Sequence, residues 1–229
     1  MLSIVIPCLN EAAGIAAVLA RLQPMRERGA EVIVVDGGSS DASAQLAAPF
    51  ADRVVEAPRG RAAQMNAGAA HAGGDMLLFL HADCLLPAGA DILIQDGLAA
   101  SGKDWGRFDV ALDGAHALLR TVAAMMNVRS RLTGIATGDQ GLFMRRRLFA
   151  AVNGFPPIAL MEDIAMSKEL KAHGAPLCLN ARIIASARRW EERGVLRTIA
   201  LMWRLRMAYC LGADPARLAL RYDAARGRD

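Results

Sequence analysis

At 229 residues the chain suits one large domain, or one domain with a helical appendage, and is cramped for two independent domains. Hydrophobic types make up 54% and charged types 22%, which excludes disorder and a collagen-like repeat; no run reaches the ~18 uncharged apolar residues of a membrane-spanning helix. The net charge is +4, from 24 Arg and 3 Lys against 23 acids, but no basic cluster is interleaved with aromatics, so nucleic acid is not an expected partner.

Leu2–Pro7 is an apolar run stopped by proline, read as a buried strand; with no basic region or cleavage signature it does not read as a signal peptide. Asn10 is expected to cap a helix, with Glu11 in its first turn, Ile15, Val18, Leu19 and Leu22 at helical spacing, and Gly29 at its end. Glu31–Val35 is a second buried strand, followed by the turn Asp36-Gly37-Gly38-Ser39-Ser40-Asp41 and a short Ala-rich helix to Ala48. Arg53–Glu56 is a third strand, Gly60–Ala72 a helix of small residues and Met76–Leu80 a fourth strand. This alternation predicts a parallel sheet with right-handed crossovers, whose ligands sit at the carboxyl ends of the strands. Attention therefore falls on the polar residues just past each strand: Asn10 and Glu11, Asp36, then His81 and Asp83.

The rhythm breaks after about residue 104. A strand-like Gly106–Leu112 precedes an amphipathic helix from about His116 to Leu132, a Gly/Thr loop to Gly138 and an apolar segment, Gly141–Met144. The Arg145-Arg146-Arg147 triplet and the Gly154-Phe155-Pro156-Pro157 turn follow, and Met161-Glu162-Asp163 opens another helix that stops near Gly174. A helix over Val195–Leu211 sets Arg193, Arg197 and Arg204 along one stripe, with Leu201, Met202, Trp203 and Leu205 elsewhere around it. Such a helix packs on its own domain or on a second subunit in a homodimer, or lies on an anionic membrane surface. Cys8, Cys84, Cys178 and Cys210 are too scattered for a zinc site or redox pair and read as free thiols of a cytoplasmic chain, Cys8 and Cys84 as buried ones.

Three constellations carry chemistry. Asp36, at the tip of a buried strand before a Gly-Gly-Ser turn, can accept hydrogen bonds from a nucleobase or ribose, or can merely shape the turn; there is no GxGxxG dinucleotide fingerprint. In His81-Ala82-Asp83 a carboxylate alternates with a second potential ligand, which suits a hard divalent cation bridging two phosphates, or a polar loop with a capping aspartate. Glu162 and Asp163 sit at a helix start, where they cap it or supply a positioned general base.

In order and spacing, SIVIPCLNE, VIVVDGGSSD, GRAAQMNAGAAHAGGD, MLLFLHADC, GDQGLFMRRRLFAAVNGFPP and MEDIAMSKELKAHG closely resemble the family 2 glycosyltransferases of GT-A fold, over roughly residues 3–175. GDQG and the ending ARRWEERGVLRTIALMWRLRMAYCLG resemble the small bacterial subgroup labelled arsenosugar-biosynthesis or radical-SAM-associated glycosyltransferases. The resemblance implies an α/β, Rossmann-like GT-A domain with a mostly parallel sheet flanked by helices. This catalytic domain would span 1–181, with a nucleotide-binding half (1–103) and an acceptor half (104–181), and 182–229 would be a basic helical extension. Residues 182–229 hold 11 Arg and 5 acids, giving +6, so the first 181 carry −2.

Position by position, the resemblance puts Pro7, Asn10 and Glu11 in the nucleotide pocket and Asp36 on uracil or ribose. Gly37 stands where the family's second aspartate contacts the base, and Arg61 and Asn66 where members steady the nucleotide and its phosphates. Asp83 matches the last acid of the metal-binding Asp-x-Asp motif, with His81 in place of the first and Ala82 between them. Glu162-Asp163 matches the catalytic pair in which Asp163 takes the acceptor proton. Gly138, Asp139 and Gln140 fall on the acceptor side, and Arg188-Arg189-Trp190 matches an Arg-Trp element near the diphosphate.

The expected reaction is inverting transfer of a sugar from a nucleotide-diphosphate donor, UDP favoured, to a hydroxyl on a small-molecule or lipid-linked acceptor. A divalent cation (Mg²⁺ or Mn²⁺), with Arg61 or Arg189 nearby, would stabilise the leaving diphosphate. The expected location is cytoplasmic, with peripheral contact at the inner membrane if the acceptor is a lipid. The alternatives are a sugar nucleotidyltransferase on a related fold, disfavoured by Cys8-Leu9-Asn10-Glu11 in place of a Gly-rich basic loop, and a catalytically weak sugar-nucleotide-binding protein.

Overall fold

The computed structural model describes residues 1–226, except for the side chains of residues 189, 225 and 226. In chain order the first half runs β1 (Leu2–Cys8), α1 (Ile15–Ala20), α2 (Gln23–Glu27), β2 (Glu31–Asp36), α3 (Ser43–Ala47), β3 (Arg53–Glu56), α4 (Arg61–His71) and β4 (Met76–Phe79). The remainder is β5 (Cys84–Leu85), α5 (Ala90–Ser101), β6 (Trp105–Asp113), α6 (Leu118–Thr133), β7 (Leu142–Arg145), α7 (Arg146–Ala151), α8 (Glu162–Ala172), β8 (Leu177–Ser186), α9 (Arg188–Arg193), α10 (Val195–Cys210) and α11 (Pro215–Arg226).

Among the described residues the strands form one sheet in the order β3-β2-β1-β4-β7-β6-β8-β5. Its first four strands are parallel, as the βαβ rhythm requires, with Cys8 opposite Asp36 and Val5 between Ile33 and Phe79. β7 then runs antiparallel to both β4 and β6, while β6 and β8 pair in parallel.

The side-chain period of two sends alternate residues of one strand to opposite faces. Ile4, Ile6, Val32 and Val34 pack under Ile15 and Leu19 of α1, whereas Val5, Ile33 and Val35 pack under Met65 and Ala69 of α4. Both faces are covered, so β1 and β2 contain no alternating polar pattern; all seven residues of β1 are buried. A third cluster joins Met161 and Ile164 at the start of α8 to Leu205 of α10 and Leu218 of α11. That cluster brings the C-terminal helices back over the carboxyl edge of the sheet.

One local reading needs correction. Asn10 does not cap a helix: α1 starts only at Ile15, with Gly14 at its N-cap. Asn10 instead adopts φ 55, a left-handed conformation that asparagine tolerates, and its Oδ1 accepts the Ser40 backbone N–H at 2.8 Å. The chain from 177 to 186 is a strand, β8, which crosses residues 181 and 182 and carries buried Ile183 and Ala185. The cysteines are free, with Cys8 and Cys84 buried.

Candidate active site

The carboxyl ends of β1 and β4 open into a cavity of about 410 Å³. Pro7, Cys8, Leu9 and Glu11 form one side, and His81, Ala82 and Asp83 another. Gly60, Arg61 and Gln64 bring the N-terminal turn of α4 to it, where unpaired backbone N–H groups and the helix dipole favour an anion. Leu160 and Glu162 close the far side, and Arg188, Glu192, Arg193, Tyr222 and Asp223 complete the wall from α9 and α11.

Charge is organised across this space. Arg59, Arg61, Arg188 and Arg193 face it from two segments, the start of α4 and α9. Arg61 lies 3.8 Å from Glu162 Oε1, and Arg188 lies 3.8 Å from Glu11 Oε2. Guanidinium forks of this kind match the oxygens of a diphosphate. Glu162 is 4% exposed, and burial, reinforced by the neighbouring Asp163 charge, pushes its carboxyl above the ordinary range; Arg61 opposes that shift.

Asp36 sits beside a neighbouring cavity of about 420 Å³, shared with Gly38, Ser39, Glu56, Ala57 and Pro58 at the tips of β2 and β3. Its carboxylate accepts hydrogen bonds from the backbone N–H of Gly38 and Ser39 and from the Ser39 hydroxyl. The turn is therefore shaped by Asp36 whatever else Asp36 binds. Behind it, Gln64 Nε2 donates to the carbonyls of Cys8 and Val35, both at 2.8 Å, tying the ends of β1 and β2 together.

Asp163 follows Glu162 on α8 but does not line the 410 Å³ cavity. Its Oδ2 accepts the Gly138 backbone N–H at 2.9 Å, which anchors the short 3-10 turn Gly138–Gln140 to the start of α8. A Cβ on Gly138 would fall inside the His81 imidazole, so glycine lets this turn lie against the residue just past β4. Next to it, Asp139 Oδ1 is 3.2 Å from His81 Nδ1. Gln140 is fully buried and serves the turn itself, its Oε1 accepting the Thr137 N–H at 3.2 Å.

The structure thus brings together Pro7, Glu11, Arg61, His81, Ala82, Asp83 and Glu162 around one cavity, with Asp36 at its neighbour and Gly138, Asp139 and Asp163 behind His81. Asn10 and Asn66 do not line the cavity. Asn66 brackets Phe155 instead, donating to its carbonyl at 2.9 Å and accepting its N–H at 2.8 Å. Arg189 lies in α9, and its side chain is outside the described residues. Sequence reasoning missed Gln64, Arg59, Glu192, Arg193, Tyr222 and Asp223. Only the run of charges around Trp190 offered a signal for the α9 residues; nothing local marks Gln64 or Tyr222.

The donor set suits a divalent cation. His81, Cys84 and Asp139 each place one ligand atom within 4.8 Å of the others, and Asp83 lines the cavity beside them. With an imidazole and a thiol beside the carboxylate, these donors depart from the all-oxygen shell that Mg²⁺ favours.

Sheet order, the α4 N-terminus at the β1–β2 edge and the acidic loops after β4 define a fold of the GT-A class. Its structural neighbours say the same: S. aureus TarS in complex with UDP superposes with TM-score 0.66 at 18% identity, over 81% of this chain and 60% of that one. The mannosyltransferase PcManGT from Pyrobaculum calidifontis, in complex with GDP-Man and Mn²⁺, gives TM-score 0.65 at 21% identity, over 90% and 60%. Residues 3–104 match the model of the family described as Glycosyl transferase family 2. An uncharacterised glycosyltransferase of Mycobacterium tuberculosis is 38% identical over 106 residues, 44% of this chain and 40% of that protein. The succinoglycan biosynthesis protein ExoA of Rhizobium meliloti is 36% identical over 111 residues, 44% of this chain and 33% of that protein. These matches span no more than 40% of either curated relative's length.

Proposed function

We propose that the chain transfers a sugar, with inversion, from a nucleotide-diphosphate donor to a hydroxyl acceptor, and that UDP is the favoured nucleotide. The single observation that carries this reading is the cavity in which four arginines and the α4 N-terminus face Asp83 and Glu162. Cations gathered from separate segments suit a diphosphate, whose negative charge grows as the sugar–phosphate bond breaks. Asp36, which lines the adjoining cavity, is the proposed contact to the base or ribose.

Asp83, His81 and Asp139 would hold a divalent cation, which supplies charge neutralisation at the diphosphate. Asp163 is the proposed general base, taking the acceptor proton while Gly138 fixes one of its oxygens. Glu162, on the donor side, keeps its proton more readily and leaves the base role to its neighbour. Residues 1–181 carry the catalytic machinery in this reading, and α9 and α11 of the basic extension close the donor site.

No helix among the described residues is long and apolar enough to cross a membrane. Leu196, Trp203, Met207 and Leu211 are exposed on or just after α10, next to Arg197 and Arg204, which supports a contact of this helix with a second subunit or an anionic lipid surface.

The deciding experiment presents UDP- and GDP-sugars with Mn²⁺ and a broad hydroxyl acceptor set, and follows nucleotide release. Acceptor-dependent release of UDP is expected. Binding without turnover would leave a sugar-nucleotide-binding protein, and release of pyrophosphate from a nucleoside triphosphate would mark a nucleotidyltransferase.

A further inference from the structure

We infer that the acceptor carries an anionic group, phosphate or carboxylate, which Arg129 of α6 and Arg206 of α10 hold beside Asp163. The inference rests on the transfer reading above and names the chemical class of its second substrate.

Arg129 Nε and Nη2 and Arg206 Nε are buried and make no hydrogen bond to the described residues. Elsewhere the fold matches its buried guanidiniums with oxygen. Arg107, wholly buried, pairs with Asp109 and donates to the Asn127 carbonyl; Arg146 donates to the carbonyls of Gly74 and Ala72. Arg107 Nε and Arg145 Nε also lack a hydrogen bond, but each of these guanidiniums has an aspartate in reach. An unsatisfied buried donor on a charged group is costly and calls for a partner.

The local charges do not supply one. Burial, together with the Arg206 and Arg107 charges, lowers the Arg129 pKa to about 10, and Asp163 is the one acid acting against them. Arg107 already pairs with Asp109, which Arg131 shares, so Asp163 is the acid left acting on Arg129. Neither Arg129 nor Arg206 is fully buried, which leaves a small anion an approach. Two planar guanidiniums match the oxygens of a phosphate or carboxylate. The position also fits the division of labour on α8: Glu162 faces the donor cavity, and Asp163 faces the side where an acceptor hydroxyl must arrive.

The test uses the full chain with UDP present, so that the donor cavity is filled, and titrates inorganic phosphate against chloride of equal ionic strength. A saturable, phosphate-specific rise in the unfolding midpoint is expected, with Arg129→Met and Arg206→Met each weakening phosphate about 10- to 100-fold. A wild-type response that either variant leaves unchanged, or no phosphate-specific response, overturns the inference. The kinetic arm compares a phosphorylated alcohol, a carboxylated alcohol and their neutral counterpart as acceptors. An anionic acceptor should lead by at least tenfold in kcat/KM and lose that lead in Arg206→Met; equal use of the neutral alcohol overturns the inference and leaves the transferase reading standing. Conversely, phosphate binding that depends on both arginines, with no acceptor turned over, removes the transferase reading and leaves the anion site.

Discussion

Gly37 lies directly against the amide of Gln64: a Cβ at position 37 would sit 2.9 Å from both Cδ and Nε2. The space that a second aspartate would need in the VVDGGSSD turn is therefore occupied by the side chain that ties Cys8 to Val35. Gly37→Asp is expected to cost about 1–3 kcal/mol through overpacking. Combining it with Gln64→Ala should recover part of the loss, which thermal unfolding of the single and double variants measures.

Asp163→Asn keeps an oxygen for the Gly138 N–H but removes the proton acceptor. Transfer should fall about 10²- to 10⁴-fold, with UDP affinity nearly intact. An active variant would sink the base assignment.

Asp83→Ala should weaken Mn²⁺-dependent donor binding about 10- to 100-fold and leave metal-independent binding of UDP little changed. Calorimetric titration of UDP with and without Mn²⁺ separates the two effects. An identical Mn²⁺ response in the variant would remove Asp83 from the site.

Glu162 has a folded-state pKa above its unfolded value, so the native state binds its proton more tightly. Stability from this group is present at low pH and is lost as pH rises from the ordinary glutamate range through the raised value. Glu162→Gln should therefore stabilise the protein at pH 8 relative to wild type and show no such gain near pH 4. Each kcal/mol gained would move the midpoint by about 2–4 °C. A variant that is less stable at pH 8 would show that the Arg61 contact outweighs burial.

The parallel half of the sheet was legible in the sequence because its strands are short β-branched runs bounded by Gly, Pro and Asp: Arg53–Glu56 is a strand with the expected bounds, and β2 gains only Asp36. β8 was hidden because Asn180 and Arg182 interrupt its apolar residues, and its identity as a strand comes from pairing with β6. The residues flanking β1 and β4 announced the site, since a parallel sheet delivers them to one edge. The contribution of α11 did not show, because Tyr222 reaches the cavity through packing of Leu218 on Met161 and Ile164, a contact between distant segments with no local signature. The Asn66 contact was hidden for a related reason: its partner is Phe155, 89 residues away.

Pro7 and Leu9 share a cavity with Tyr222 and Asp223. A ligand that touches both walls becomes a staple between segments some two hundred residues apart, and its binding energy is then also resistance to peeling α11 away. Saturating UDP at a hundredfold excess over its Kd should slow amide exchange and proteolytic nicking within α11 by up to about 2.7 kcal/mol of local opening energy, with little change in α5 on the distant flank.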